Sequence, residues 1–241
     1  SIAALRVLQQ ETGLVPAMTA GHSLGEYSAL VASGALQFTD AVAIVRKRGT
    51  FMQEAVPVGV GGMAAVLGME TEVLEQICKE SAEGQAVSPA NYNCPGQIVI
   101  SGHMEAVKRA AARAEAAGAK KVVMLPVSAP FHSALMKPAA EKLARALEPV
   151  PVQDLKIPVL SNVEADFYPS KNEVKRLLTE QVDHPVRWIE EMEKMVKEGV
   201  DKCVEIGPGK VLNGLVRKIS RETAMQSIEN SDSIKEFVAS L

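Results

Sequence analysis

The sequence predicts an α/β protein in two parts, a larger α/β unit interrupted by a smaller one of βαββαβ order, and three observations carry that expectation. An apolar, strand-like run enters Gly21-His22-Ser23-Leu24-Gly25 and a helical pattern leaves it. After Pro57, Gly59, Gly61 and Gly62 the rhythm changes from long helix to short strands. From residue 133 onward, helices and strands alternate again. A chain of 241 residues with 47% hydrophobic content can bury the core of one large domain or of a domain with an insertion.

Taken in order, residues 1–13 place Ile2, Leu5 and Leu8 at helical spacing and lead through Pro16 into a strand over 17–20. Residues 24–33 read as a helix that stops at Gly34. A longer helix over 38–56 carries Ala41, Ile44, Val45, Met52 and Ala55 on one stripe, with Thr39 or Asp40 expected as its N-cap. The smaller unit follows as a strand over 63–68, a helix over 71–80, strands over 85–91 and 97–101 around the turn 93–96, an alanine-rich helix over 104–117 and a strand over 121–127. That order is the split βαβ pattern of ferredoxin-like units, about 70 residues long and placed at about 59–128. The larger unit resumes with a helix over 133–147, a strand over 157–161, a helical stretch over 172–198 broken near Pro185, a strand over 201–206, a helix over 211–219 and a terminal amphipathic turn over 234–241.

Composition narrows the function classes. A net charge of -3 and a single tryptophan, Trp188, argue against a nucleic-acid interface. No apolar run approaches the roughly 20 residues of a membrane span, and no leader pattern is present, so a cytoplasmic protein that acts away from membranes is expected. Cys78, Cys94 and Cys203 are odd in number and lack CxxC spacing, and His22, His103, His132 and His184 lack ligand spacing. Neither a metal nor a bound cofactor is expected, and a monomer is.

The segment 21–25 has the form of a nucleophile elbow, in which a serine hydroxyl stands exposed on a sharp strand-to-helix turn beside free backbone N–H groups. Gly21 and Gly25 are both expected where a side chain would collide across the turn. His132 follows a strand and the turn 128–131, where α/β folds present functional side chains, and is the candidate base; a loop histidine capping the helix from Ser133 is the alternative. His184 is the runner-up base, His22 is expected to pack under the turn, and His103 to cap the helix after Gly102. Asp166 and His184 could be forced into a hydrolase order of serine, acid and histidine, but they lie only 18 residues apart. Arg48 falls on the apolar stripe of its helix, in step with Ile44, Val45 and Met52, so it needs an anion: a structural carboxylate, or a carboxylate carried by an acyl group on the serine.

Six segments in order then resemble the malonyl-CoA:acyl carrier protein transacylase family across the whole chain. They are 21–26 (GHSLGE), Arg48-Gly49 with Met52-Gln53, 91–97 (NYNCPGQ), 130–133 (PFHS), Gln181 with 185–188 (PVRW), and 205–210 (EIGPGK). The resemblance implies a nucleophile at Ser23, a base at His132, a carbonyl at Gln181 that orients the imidazole, and the Leu24 backbone N–H as an oxyanion donor. It also implies a carboxylate clamp at Arg48, with Phe131 and Met52 against the acyl group and Phe131 crowding an α-methyl branch. Malonyl-CoA and acyl carrier protein are the implied partners. The implied fold is a hydrolase-like large subdomain with a mostly parallel sheet, residues 1–58 and 129–241, carrying a ferredoxin-like small subdomain, residues 59–128. The family's Gly-Gln-Gly-Ser-Gln oxyanion segment has no counterpart here, and an N-terminal stretch of the family is expected to be missing from this chain.

Two segments have plainer alternatives. Residues 207–210 lack phosphate-loop spacing and read as a strand-to-helix turn. Lys210, Arg217 and Lys218 are a solvated helix face or, given an acidic carrier protein, a docking patch. An esterase or thioesterase, and a carrier-protein-binding scaffold without catalysis, are the competing readings.

Overall fold

The computed structural model describes residues 1–241. The chain opens on α1 (Ile2–Thr12), which Gly13 ends in the left-handed region at φ 68°. It then passes through an extended stretch into α2 (Leu24–Ala32) and α3 (Phe38–Glu54). The N-cap of α3 is Gln37, two residues before Thr39 and three before Asp40, because Phe38 is already helical. Ala41, Ile44, Arg48 and Met52 form the buried stripe of α3, as the spacing predicts.

The middle of the chain supplies β1 (Gly61–Leu67), α4 (Thr71–Ser81), β2 (Val87–Cys94), β3 (Gln97–His103), α5 (Met104–Ala116) and β4 (Lys121–Met124). The four strands form one antiparallel sheet in the order β2-β3-β1-β4. Alternation along β1 and β3 divides their side chains between two faces. Ala64, Val66, Ile98 and Ile100 join Leu74 and Ile77 of α4 and Ala106, Val107, Ala110 and Ala114 of α5 in one core. Met63 and Val99 face the other way, into a small cluster that Leu125, Val127 and Phe131 complete. The loop carrying His132 is thus seated on the sheet. At Gly61 the approach is so close that a Cβ would stand 2.4 Å from the Pro130 ring.

The remainder is a short 3-10 turn, Ala134–Met136, followed by α6 (Lys137–Leu147), α7 (Val174–Glu180), α8 (Trp188–Lys197), β5 (Lys202–Ile206), α9 (Val211–Ile219), β6 (Ala224–Ile228) and α10 (Ser231–Ala239). Pro138 sits in the first turn of α6, where its missing N–H costs nothing. A capping box between Asn230 and Ser233 starts α10. The strands expected over 17–20 and 157–161 are realised as a single parallel bridge, Thr19 with Val159, and as one antiparallel bridge, Leu160 with Phe167. Parallel pairing of any length occurs between β5 and β6 alone. β6 has no counterpart in the sequence prediction, since its five residues AMQSI lack a clean apolar-polar alternation. The largest core, 21 buried residues from α2, α3, α6 and α7 and their connections, lies beneath the serine turn. No helix is long and apolar enough to cross a membrane.

Candidate active site

Ser23 is the N-cap of α2 and holds φ 53° and ψ -104°, a backbone region that L residues seldom occupy. Gly21 lets the turn close: a Cβ there would stand 2.0 Å from the Gly25 carbonyl carbon and 2.1 Å from its oxygen. Gly25 is different. Nothing lies within 4 Å of where its Cβ would be, so the expected collision holds for the first glycine only. Leu24, the first residue of α2, is 53% exposed and its N–H belongs to the unpaired donors of the helix start.

His132 is also a non-glycine residue at positive φ, 57°. Its ring does not cap the following helix, and the turn before it is closed by Ser133 Oγ donating to the Pro130 carbonyl at 2.7 Å. Nε2 lies 2.8 Å from Ser23 Oγ. Nδ1 lies 2.7 Å from the Gln181 main-chain carbonyl and 3.2 Å from that of His184. Carbonyl oxygens can only accept, so Nδ1 carries the proton and the Nε2 lone pair faces the serine hydroxyl. Burial, and next the Arg48 cation, push the imidazole pKa down to about 3. The imidazole is therefore neutral at physiological pH, with Nε2 free to accept a hydrogen bond from the serine hydroxyl.

Arg48 is 6% exposed. Its Nη2 donates to Ser23 Oγ at 2.9 Å and to Gln181 Oε1 at 2.8 Å, while its Nε has no partner. No carboxylate stands within 4.0 Å of the guanidinium, which removes the structural ion pair as the reason for its burial. The guanidinium is thus a buried cation with a donor to spare beside the serine hydroxyl. Met52, one turn along α3, is 3% exposed and belongs to the large core, and Phe131 is half-buried between that core and the sheet.

The other histidines lie apart from this chemistry. His184 is exposed, with Nδ1 near the Glu180 carbonyl and Asp183; its carbonyl, not its ring, reaches the site. His22 packs against Trp188 at 5.6 Å between ring centroids and meets Asn93 Oδ1 at 2.8 Å, and burial lowers its pKa. His103 is the N-cap residue of α5, yet its Nδ1 accepts from the Ala86 N–H at 2.9 Å instead of capping.

Under the serine lies a polar network in which Tyr168, Asn162 and Glu191 join Gln181 and Glu26, and the first three carry no sequence motif. Gln181 Nε2 donates to the Ser23 carbonyl at 2.9 Å and to Glu26 Oε2 at 2.6 Å. Tyr168 OH also donates to Glu26. Glu26 is fully buried, and desolvation outweighs these hydrogen bonds to push its pKa up to about 7. Asn162 touches Ser23, Gly21 and Glu191. The one available signal was its position directly after the predicted strand 157–161, where functional side chains collect.

The model of the acyl transferase domain matches residues 1–235. The chain belongs to that family. It is 52% identical over 242 residues to the malonyl CoA-acyl carrier protein transacylase of Bacillus subtilis, covering 100% of this chain and 76% of that protein. It is 51% identical over 219 residues to the Escherichia coli K12 protein of the same name, covering 91% and 71%. Among solved structures, the malonyl CoA-acyl carrier protein transacylase of Coxiella burnetii superimposes with a TM-score of 0.96 at 41% identity, covering 99% of this chain and 75% of that one. A malonyl-transacylase solved in complex with its type II PKS acyl-carrier protein gives 0.97 at 44% identity, covering 100% and 78%. The α/β fold of this acyl transferase is the fold of those structures.

On the outer surface Lys210, Arg217 and Lys218 are exposed on and before α9, and Lys218 Nζ meets Gln97 Oε1 at 3.2 Å on the β2–β3 hairpin. The turn 207–210 leads from β5 into α9.

Proposed function

We propose that this acyl transferase moves the malonyl group from malonyl-CoA to the phosphopantetheine thiol of acyl carrier protein through a malonyl-serine intermediate, the loading step of fatty acid biosynthesis. The observation that carries the reading is the unpaired, buried Arg48 guanidinium 2.9 Å from Ser23 Oγ, which fits an acyl group with a distal carboxylate.

Ser23 Oγ attacks the thioester carbonyl carbon while its proton passes to His132 Nε2. The oxyanion takes the Leu24 N–H, aligned by the helix start. When the tetrahedral intermediate collapses, the C–S bond breaks and the departing CoA sulfur takes the proton from His132. The carrier thiol then gives its proton to the same nitrogen, attacks the malonyl-serine ester, and Ser23 Oγ leaves reprotonated. The Gln181 carbonyl holds the imidazole in one tautomer throughout. When the malonyl carboxylate occupies Arg48, the cation facing His132 is neutralised, which raises the imidazole basicity at the moment it is needed. Phe131 and Met52 bound the acyl pocket, and Lys210, Arg217 and Lys218 form the rim that meets the acidic carrier. Neither a metal nor a bound cofactor enters these steps.

The same reading divides the chain into a hydrolase-like large subdomain, 1–58 and 129–241, whose sheet is mostly parallel, and a ferredoxin-like small subdomain, 59–128. The antiparallel order β2-β3-β1-β4 with α4 and α5 on one face supports the second assignment. The three free thiols fit a cytoplasmic protein. The test is a transfer assay in which the protein is given malonyl-CoA and then a holo carrier protein. Malonyl carrier protein is expected as the main product, and free malonate in its place would make the protein a thioesterase.

A further inference from the structure

Asn162 takes no part in the transfer steps, yet its side chain spans the nucleophile's turn. Oδ1 accepts the Ser23 N–H at 2.7 Å, and Nδ2 donates to the Gly21 carbonyl at 2.9 Å. The amide therefore ties the peptide entering the turn to the peptide of the serine. It does so where the backbone is strained, and such strain persists only when the surroundings over-determine it. It also occupies the Ser23 N–H, which leaves Leu24 as the elbow donor free for an oxyanion.

The amide itself is held from behind. Nδ2 donates to Glu191 Oε1 at 2.9 Å and Oε2 at 3.1 Å, and the Asn162 backbone N–H reaches Glu26 Oε2 at 3.3 Å. Asn162, Glu26 and Glu191 are all 0% exposed. Neither carboxylate has a cation within 4.0 Å. Burying two acids without ion pairs is costly, and both are aimed at groups that touch Ser23: Asn162, and Gln181 through Glu26. Burial and the nearby Glu26 charge hold the Glu191 pKa well above the usual carboxylate range, so this acid resists ionising further.

We propose that Asn162 is a positioning residue that sets the backbone of the nucleophile turn, and that Glu191 fixes the orientation of its amide. The proposal rests on acyl transfer through Ser23. Asn162→Ala removes both tethers, and acylation at saturating malonyl-CoA should slow by about tenfold for each hydrogen bond lost, with KM unchanged. Asn162→Asp keeps the volume and the acceptor for the Ser23 N–H but sets an oxygen against the Gly21 carbonyl, which can only accept. Its acylation should be slow at neutral pH and should improve as the pH falls and the new acid gains a proton that it can donate to Gly21. Glu191→Gln alone keeps an acceptor for the Asn162 amide and should acylate at close to the wild-type rate, whereas Glu191→Leu leaves the amide unheld and should slow acylation with KM unchanged.

The experiment is rapid-quench intact-mass analysis of each full chain mixed with malonyl-CoA. An adduct on the wild type with Asn162→Ala acylating equally fast, with the loss confined to KM, or with Glu191→Leu as fast as Glu191→Gln, overturns the positioning role. Absence of the adduct from the wild type overturns the acyl-transfer reading on which it rests.

Discussion

Replacing Arg48 with alanine separates a substrate clamp from a structural residue. The guanidinium is 6% exposed, donates through one nitrogen to Ser23 Oγ and Gln181 Oε1, and has no carboxylate partner in the fold. A bound malonyl carboxylate would take at least one charge-assisted hydrogen bond from it, worth about 1.5–3 kcal/mol. At about 1.4 kcal/mol per decade that is roughly 10- to 150-fold in kcat/KM for malonyl-CoA. Acetyl-CoA has no carboxylate and leaves the cation unpaired, so Arg48→Ala should cost it far less. Burial remains the larger cause of the lowered His132 pKa, but loss of the cation should lessen the depression, which favours the acetyl substrate further. The assay is kcat/KM for both thioesters with one carrier protein, and the malonyl-to-acetyl ratio is the readout. An equal loss for both would refute the clamp and make Arg48 a support for Ser23 and Gln181.

The remaining predictions use other parts of the site. His132 is protonated only below its lowered pKa of about 3, so in a Glu26→Gln variant, which removes the neighbouring acid held up at about 7, kcat/KM for malonyl-CoA should stay level from about pH 5 to 8, with the acid limb below the ordinary imidazole value of about 6.5; a limb centred at 6.5 or above in that variant would show that the ring is solvated in the working enzyme. Gly21→Ala drives a Cβ into the backbone of Gly25 and should lower Tm, at an overpacking cost of about 1–3 kcal/mol or more, whereas Gly25→Ala meets open space within a helix and should hold or raise it. Calorimetry on the pair decides, and equal effects would refute the steric account of the turn. Arg217→Glu with Lys218→Glu should raise KM for the carrier protein and leave loading from malonyl-CoA unchanged; carrier kinetics with an unaltered salt dependence would reduce the patch to solvated surface.

Much of this was legible in the sequence where the signal was local. The stripe 41, 44, 48, 52 placed Arg48 inside, and the turn preceding His132 placed that residue at a loop end. Elements that depend on partners distant in sequence were less legible. The extended stretch at 17–20 pairs through one bridge only, and β6 exists because β5 lies alongside it in register, not because of its own pattern. The members of the polar network outside the motifs were invisible for the same reason. Asn162 is 139 residues from Ser23 in the chain, and Glu191 reads as one of several acids on an amphipathic helix until the fold buries it. The glycines show the limit of motif reasoning, since the two that flank Ser23 look alike in the sequence and only Gly21 meets an obstacle.

The central claim is a malonyl ester on Ser23. Intact-mass analysis after mixing with malonyl-CoA, followed by peptide mapping, should find one malonyl group per chain on the peptide containing Ser23, released by a carrier-protein thiol and absent from Ser23→Ala. An adduct of malonyl mass that persists in Ser23→Ala, or that maps to another residue, would contradict it.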